Sequence, residues 1–253
     1  LPRELALHLQ PDFGISGEGE TAFARLVQAL ERGDGDFAGI ANLHRIVTDG
    51  LGQKRVVSSA PGDGFQDLDA LPLPDRSLVD PRHYGRYAID SVQTKRGCSL
   101  KCDYCTYPTI EGRAIRRRDP KLVVEEMVQS IASQPQIRHV FIVDSVFNLP
   151  PRHAKDVCRE LVRVGWKIPW TAYANPIAFD QELADLMVAA GCAGIEIGSD
   201  SGVDSVLDRM KKGFTVETIR HMHAVCTQAG LRDCHTFILG TPGETLDQVR
   251  ETL

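Results

Sequence analysis

Three closely spaced cysteines are the residues of this sequence best suited to chemistry. Cys98, Cys102 and Cys105 lie in the run TKRGCSLKCDYCTY, which covers residues 94–107. Three thiolates on one short loop can each bind one iron of a cubane 4Fe-4S cluster, and the fourth iron then has no protein ligand. The spacing therefore predicts an iron–sulfur centre with one iron open to a small molecule.

A structural zinc site is the main alternative use of such a cysteine cluster. It normally needs four ligands, often as two pairs set well apart, and no second pair follows here. A disulfide framework is disfavoured because seven cysteines is an odd number and no signal peptide is visible. The other four cysteines stand alone in apolar segments and are expected to be small buried side chains. They are Cys158, Cys192, Cys226 and Cys234.

The loop from Cys98 to Cys105, with Tyr104 directly before the last cysteine, resembles the signature loop of the radical S-adenosylmethionine (SAM) enzymes. In that family SAM chelates the open iron through its amino and carboxylate groups, and an electron from the cluster cleaves SAM to a 5′-deoxyadenosyl radical. The resemblance covers about residues 85 to 253. It implies a 4Fe-4S cluster on the three cysteines and SAM as a cofactor, with Tyr104 beside it.

Alternating strand and helix patterns follow residue 89. Strands are predicted at residues 91–95, 139–143, 169–174, 194–198 and 235–239. Helices are predicted at residues 120–133, 150–164, 181–190, 203–210 and 216–229 and from residue 244 onward. Repeated strand–helix units predict a parallel α/β sheet, and the regular spacing favours a barrel or partial barrel. The family fold is a partial (β/α)6 TIM-type barrel, so the resemblance implies that residues 84–253 form one that is incomplete at its C-terminus.

Functional side chains of such barrels lie at the C-terminal ends of the strands. The SAM-binding positions that the resemblance implies there are Asp144 and Ser145 through their backbone, Glu196 and Ser199 for the ribose, Lys212 for the methionine carboxylate, and Gly240 and Pro242 beside adenine. Tyr173 and Asn175 are candidates for the substrate side. Turn or capping roles remain open for Asp144 and Asn175, and a solvated surface role for Lys212. Glu196 would be costly to bury without a partner, which favours a ligand there.

Residues 1–52 are similar to the last part of a Rossmann-like cobalamin-binding α/β domain, which precedes the radical barrel in one subclass of the family. The similarity lies in a glycine turn with two glutamates, a helix at residues 21–32 and a short basic strand. The alternative is a purely structural role, in which the glycines only supply turn geometry. Residues 53–83 are rich in proline and predict an extended linker. The chain starts without Met, so we expect a piece of a longer protein whose cobalamin motif lies before Leu1.

Composition narrows the class of protein. The 253 residues are 42% hydrophobic and 25% charged, as is typical of a soluble globular protein, and no apolar run is long enough for a membrane span. A net charge of -5 makes nucleic acid an unexpected partner. Unpaired cysteines and an oxygen-labile cluster favour the cytoplasm. Four arginines after the cysteine loop could offset cluster charge, bind an anion or form a solvated face. They are Arg113, Arg116, Arg117 and Arg118.

The favoured hypothesis is a cobalamin-dependent radical SAM methyltransferase that methylates an unactivated centre of a small molecule or peptide with the help of an external electron donor. A ring-forming or rearranging enzyme of the same subclass is an alternative. A methylthiotransferase-like RNA modifier would need a further cysteine set, and residues 1–52 contain none. A structural or electron-transfer iron–sulfur module would need neither Glu196 nor Lys212. No catalytic residue is predicted from the sequence.

Overall fold

The structure is a computed structural model that describes residues 2–33, 35–62 and 65–253. It divides the chain into two compact units, Leu1–Asp67 and Leu68–Leu253. Within the described residues, no helix is both long and apolar enough to cross a lipid bilayer.

The first unit contains a small antiparallel sheet and two helices. Its elements are α1 (Pro2–Leu9), β1 (Phe13–Ile15), α2 (Glu20–Arg32), β2 (Leu43–Thr48) and β3 (Lys54–Ser58). The strand order is β1-β2-β3, and both strand pairs are antiparallel. The helix predicted at residues 21–32 is confirmed, and it ends at Gly33 in the left-handed conformation. Leu26 and Ala29 of α2 pack with Leu43 to form the core of this unit.

Strand β3 lies inside the stretch that the sequence predicts as a linker. Its five residues contain only two apolar side chains, so no strand period is visible in the sequence. The hairpin turn supplies the missing signal, because the Asp49 carboxylate accepts hydrogen bonds from the backbone N–H groups of Leu51 and Gln53, each at 2.9 Å. Residues 54–58 therefore belong to the sheet of the first unit and are not an irregular segment.

The second unit begins with two single turns of 3-10 helix, Leu68–Ala70 and Arg76–Leu78, and continues as alternating strands and helices. In chain order the elements are α3 (Pro81–Tyr87), β4 (Ile89–Val92), β5 (Lys95–Arg96), α4 (Tyr107–Ile110), β6 (Arg116–Arg117), α5 (Pro120–Ser133), β7 (His139–Ile142), α6 (Pro151–Arg163), β8 (Trp170–Ala174), α7 (Gln181–Ala189), β9 (Cys192–Asp200), α8 (Asp204–Arg209), α9 (Val216–Ala229), β10 (Asp233–Phe237) and α10 (Leu246–Thr252).

Five parallel strands in the order β4-β7-β8-β9-β10 form the sheet of this unit. All five predicted strands are confirmed, although the first, fourth and fifth begin two residues earlier than predicted. The order of the strands in the sheet is also their order in the chain, as in a TIM-type barrel. The two-residue strands β5 and β6 form a separate antiparallel ribbon on either side of the cysteine loop.

The two faces of the parallel sheet have different environments. One face packs against the helices and supplies the core, which includes Val140, Trp170 and Ile197. The other face is open and carries the exposed side chains of Tyr173 and Cys234. Strand alternation explains this division. Cys234 is therefore exposed, against the prediction for the isolated cysteines, whereas Cys158 and Cys226 are buried as predicted and Cys192 is half-buried.

A buried arginine fixes the segment that leads into the sheet. The Arg76 guanidinium is 7% exposed; its Nε lies 3.3 Å from Asp90 Oδ2 and its Nη2 lies 2.7 Å from Glu126 Oε1. Nη2 also donates to the Ser91 carbonyl at 3.0 Å. Burial opposes the charge, but the hydrogen bond that Arg76 donates to Glu126 and the charge of Asp90 outweigh it and raise the pKa of Arg76. The segment before β4 is thus held to α5 and β4 by charge-assisted bonds.

Gly97 leaves β5 in a conformation that only glycine adopts easily. Its φ is +93°, and a Cβ at this position would lie 2.1 Å from the Ala114 carbonyl oxygen. The next residue, Cys98, donates its backbone N–H to the Gly112 carbonyl at 3.1 Å. The backbone before the first cysteine therefore touches the backbone that returns from the loop.

Arg76→Ala should destabilise the second unit by about 3–5 kcal/mol, because it removes one partner of a buried ion-pair network. Arg82→Ala is the matched control, since Arg82 pairs with Asp80 on the same segment but is exposed. Urea unfolding followed by circular dichroism measures the two free energies of unfolding. Equal stability of the two variants would contradict the structural role of Arg76.

Gly97→Ala should lower the thermal midpoint more than Gly165→Ala does. Both glycines have positive φ, so each substitution costs about 1–2 kcal/mol from the left-handed backbone alone. Nothing lies within 4 Å of a Cβ at Gly165, whereas at Gly97 the backbone of Ala114 must also move. Differential scanning calorimetry compares the two, and indistinguishable midpoints would refute the predicted clash.

Candidate functional site

The three cysteines line one cavity of about 100 Å³ beyond the end of β5. Tyr104 and Ser145 line the same cavity. Cys98 is buried, and the other two cysteines are partly exposed. Because β5 follows β4, the cavity lies at the C-terminal edge of the parallel sheet, where the sequence predicts the functional centre.

Contacts from two directions fix the backbone of the cysteine loop. Arg113 Nη1 donates to the Leu100 carbonyl at 3.0 Å, from the segment that returns toward β6. On the other side, the Asp103 N–H donates to the Met210 carbonyl at 3.1 Å, and Lys211 Nζ lies 2.8 Å from Asp103 Oδ1. The loop is therefore held both to its own return and to the end of α8.

Asp144 anchors the chain that enters the loop. Its carboxylate is fully buried and accepts hydrogen bonds from the Thr94 N–H at 2.8 Å, the Thr94 hydroxyl at 2.5 Å and Lys95 Nζ at 2.7 Å. His153 Nε2 lies 3.2 Å from the Thr94 carbonyl, and burial followed by the Lys95 charge lowers the pKa of His153. The carboxylate of Asp144 is thus engaged inside the protein. The neighbouring residue Ser145 lines the cavity, with its hydroxyl 3.5 Å from the Gly97 carbonyl.

The sulfur geometry favours a cluster over a single zinc ion. Sulfur ligands about 2.3 Å from a tetrahedral zinc would lie roughly 3.8 Å apart. Among the described residues, the Sγ atoms of Cys98, Cys102 and Cys105 do not all lie within 4.8 Å of one another. Burial raises the pKa of the Cys102 thiol, and the Lys212 charge opposes this rise. Three thiols spaced more widely than the ligands of one zinc ion fit a multinuclear iron centre.

Tyr104, which lines the cavity, forms a polar cluster with the buried side chains of Asp200 and Lys212. Tyr104 donates its hydroxyl to Asp200 Oδ2 at 2.5 Å, and Lys212 Nζ lies 2.5 Å from the same oxygen and 3.0 Å from the Tyr104 hydroxyl. Lys212 also lies over the rings of Tyr104 and Phe214, at 5.4 Å from each centroid. Burial and the Asp200 hydrogen bond raise the pKa of Tyr104 far above its usual value. Lys212, predicted opposite a SAM carboxylate, thus binds a carboxylate of the protein.

Sequence reasoning did not select Asp200. The available signal was an acidic residue at the C-terminal end of a barrel strand, directly after Ser199. Its backbone is left-handed, with φ of 63°, a conformation that aspartate tolerates better than most residues. Asp200 is the residue that joins Tyr104 of the cysteine loop to Lys212 after α8.

The two residues predicted to bind the ribose lie on opposite faces of β9. Ile195 and Ile197 face the helices and are buried, so strand alternation places Glu196 on the open face, where it is exposed. The premise that Glu196 is a buried carboxylate is therefore wrong. Ser199 is fully buried, and its hydroxyl lies 2.7 Å from His235 Nδ1. The structure gives Ser199 a protein partner, and the ribose role of Glu196 stays a prediction.

The two substrate-side candidates also differ. Tyr173 is 40% exposed on the open face, in register with Glu196, and its ring contacts Phe141 edge-to-face at 5.0 Å. Asn175 is buried, and its amide oxygen accepts the Ile177 N–H at 2.9 Å. The backbone of Asn175 pairs with the side chain of Asn148. Asn175 thus has the turn role that the sequence left open as the alternative.

The turn after β10 is preorganised by one glutamate. The backbone N–H groups of Gly240 and Thr241 donate to Glu244 Oε2 at 2.6 and 2.9 Å. Gly240 has φ of +80°, and Pro242 is exposed on the same turn. The predicted glycine turn is therefore present, with its proline accessible to a ligand.

Three of the four arginines after the loop bind backbone carbonyls. Arg113 binds Leu100 as described; Arg116 Nη2 donates to the Glu111 carbonyl at 3.0 Å, and Arg118 Nη1 donates to the Gln93 carbonyl at 2.8 Å. Arg118 also pairs with Glu126 at 2.6 Å. These contacts give the basic group a structural part in holding the loop.

Comparison with known proteins identifies relatives of the whole chain. The family model of the radical SAM superfamily matches residues 92–253. Tryptophan 2-C-methyltransferase of Streptomyces laurentii is 33% identical over 208 residues, which are 74% of this chain and 34% of that protein. The structure of the radical SAM methyltransferase TsrM of Kitasatospora setae, with tryptophan and the SAM analogue aza-SAM bound, is 30% identical and has a TM-score of 0.83 over 99% of this chain and 50% of that one. TsrM has also been solved with cobalamin and a 4Fe-4S cluster bound.

The cobalamin-dependent SAM radical enzyme OxsB shares the fold, with a TM-score of 0.80 at 18% identity over 98% of this chain and 36% of that one. The chain thus spans half or less of the length of these relatives. The likeness to these structures confirms the predicted partial barrel, and the family model matches the same part of the chain, residues 92–253. With the cysteine loop at the C-terminal edge of that barrel and a family match over more than half of its length, the chain belongs to the radical SAM superfamily.

Proposed function

We propose that the full-length protein is a cobalamin-dependent radical SAM methyltransferase that acts on a small molecule. The observation that carries this proposal is the single cavity lined by Cys98, Cys102 and Cys105 at the C-terminal edge of the sheet. The likeness to tryptophan 2-C-methyltransferase and to TsrM supports the methyl transfer.

Each part of the site has a task in this proposal. The three cysteines would hold a 4Fe-4S cluster with one iron open to SAM. When bound, the cluster would supply the electron that cleaves SAM, and cobalamin would carry the methyl group. The open face with Glu196 and Tyr173 would orient SAM and substrate, and the turn from Gly240 to Pro242 would contact adenine. Tyr104, Asp200 and Lys212 would fix the wall of the cavity that faces SAM.

The cobalamin proposal also rests on the first unit. Residues 1–52 would be the tail of a cobalamin-binding domain, followed by the linker and then by the barrel from residue 84 onward. The match to TsrM, which has been solved with cobalamin, covers 99% of this chain and so includes the first unit. A reducing compartment such as the cytoplasm suits an oxygen-labile cluster and seven unpaired cysteines.

The proposed reaction consumes two molecules of SAM and two electrons for each methylated carbon. One SAM gives up its methyl group and leaves S-adenosylhomocysteine. In the other, one electron breaks the C5′–S bond to give methionine and a radical that takes a hydrogen atom from the substrate, and 5′-deoxyadenosine is formed. The methyl group leaves SAM without its bonding electrons, so its bond to the substrate radical requires the second electron. An external reductant must therefore act as partner.

The decisive experiment uses the full-length protein, purified without oxygen and reconstituted with iron, sulfide and hydroxocobalamin. After SAM, dithionite and tryptophan as a first probe substrate are added, we expect bound cobalamin, 5′-deoxyadenosine and S-adenosylhomocysteine. Formation of 5′-deoxyadenosine without S-adenosylhomocysteine would indicate ring formation or rearrangement. Formation of S-adenosylhomocysteine without 5′-deoxyadenosine would retain methyl transfer and refute reductive cleavage of SAM. Both products without bound cobalamin would favour a methylthiotransferase, and neither product would favour a structural cluster.

Substitution of one cluster cysteine tests the assignment of the metal ligands. Cys102→Ala should abolish 5′-deoxyadenosine formation and the 4Fe-4S electron paramagnetic resonance signal, because two thiolates are too few to hold the cubane. Cys234→Ala is the control for the iron content, since Cys234 is an exposed cysteine outside the loop. Undiminished SAM cleavage by Cys102→Ala would refute the cluster assignment.

Lys212 has both a structural and a proposed binding role, and a double variant separates the two. Lys212→Met should cost about 3–5 kcal/mol of stability, because it leaves the Asp200 carboxylate buried without its cation. Asp200→Asn combined with Lys212→Met should restore most of that stability, since asparagine keeps the left-handed backbone and a partner for Tyr104. If Lys212 contacts SAM, the double variant still binds SAM more weakly than the wild type in isothermal titration. Wild-type affinity in the double variant would assign Lys212 to structure alone.

A further inference from the structure

A second group of metal-binding side chains lies outside the cysteine cavity. His223 of α9 and two residues of β10, Asp233 and His235, direct one ligand atom each to a common point, and these atoms all lie within 4.8 Å of one another. Their position is on the helix-facing side of the sheet. The open face with Glu196 is on the other side of the same strands.

The three side chains already have nearly the spacing of metal ligands. His223 Nδ1 lies 2.7 Å from Asp233 Oδ2, and His235 Nε2 lies 3.1 Å from the same oxygen. Nitrogen and oxygen ligands about 2.0–2.1 Å from a tetrahedral zinc lie roughly 3.3 Å apart. Small side-chain rotations would therefore bring these atoms to the spacing of ligands around one ion.

The charge of Asp233 is the second observation that points to a cation. Its side chain is only 12% exposed, yet its ion-pair partners in the part of the chain that the structure describes are His223 and His235, with no lysine or arginine. A nearly buried carboxylate is costly without a compensating positive charge. A divalent ion bound by these three side chains would supply that positive charge.

Ser199 supplies the outer contact that metal-binding histidines usually have. His235 Nε2 faces Asp233, and its other nitrogen, Nδ1, lies 2.7 Å from the Ser199 hydroxyl. If Nε2 binds the ion, Nδ1 carries the proton and donates it to the serine oxygen, which fixes the ring.

We propose that His223, Asp233 and His235 bind one divalent transition-metal ion, with zinc as the best fit. Two imidazoles and one carboxylate favour borderline ions such as zinc over the hard cations magnesium and calcium. The ion would join the exposed face of α9 to β10 at the edge of the described sheet, and water would complete its coordination. Its role is to stabilise this edge, apart from the chemistry at the cysteine cavity.

The test uses the full-length protein with Cys98, Cys102 and Cys105 replaced by alanine, without a histidine tag, so that zinc cannot bind the cluster ligands. Titration with zinc chloride, followed by gel filtration and metal analysis, should give one more zinc ion in this protein than after the further change His223→Ala. The His223→Ala substitution should weaken the zinc affinity by about tenfold or more. His221→Ala is the matched control, since His221 is an exposed histidine on the same helix, and it should change neither value.

Zinc should also raise the thermal midpoint of the protein with His223 intact, and magnesium chloride should not. If the triple alanine protein does not fold, the same comparison is made on the cluster-loaded protein, with iron and zinc counted separately. Equal zinc content with and without His223, or no bound zinc in either, would overturn the proposal and leave a hydrogen-bonded cluster. Because the readout is zinc content and stability, failure here is distinct from failure of the proposed methyl transfer.

Discussion

The buried carboxylate of Asp144 is the interaction on which the cysteine cavity depends. It follows β7 in the chain but binds Thr94 and Lys95, which follow the neighbouring strand β4. The Lys95 ammonium also donates to the Val146 carbonyl at 2.6 Å, so one buried ion pair joins the ends of two strands. A buried pair adds little net stability, but it is costly to break and so favours one arrangement of its surroundings. The loop that begins at Cys98 therefore starts from a fixed point.

A second buried lysine–aspartate pair holds the opposite wall of the cavity. Lys212 and Asp200 meet at 2.5 Å, and the Tyr104 hydroxyl joins them from the cysteine loop itself. The two pairs together place buried charges next to the chain that enters the cysteine loop and next to Tyr104 within it. Such rigid support is what a cofactor site requires, because small displacements of the ligands weaken binding.

Much of this arrangement could be predicted from the sequence, and the reason is locality. The cysteine spacing and the strand–helix alternation are short-range signals, and the barrel rule then places the ends of the strands together. Pairings between distant residues leave no such signal. Asp200 and Tyr104 are 96 positions apart, and strand β3 is defined by its partner β2 more than by its own residues. The exposure of Cys234 likewise depends on the face that its strand turns to the open side.

Strand β9 shows how one alternation divides side chains on the open face from side chains on the helix-facing side. Glu196 and Asp200 are separated by four positions and share the open face, where Asp200 binds Tyr104 of the cysteine loop. Ser199 lies on the other face, opposite His235 of β10. The register of the β9–β10 pair also shifts after Gly198, so that Phe237 is paired with Asp200 and Ser199 has no partner in the ladder. A bulge of this kind turns the end of a strand and re-aims its side chains. The motif GIEIGSD therefore directs its two acidic residues to the open face and its serine to His235 on the helix-facing side.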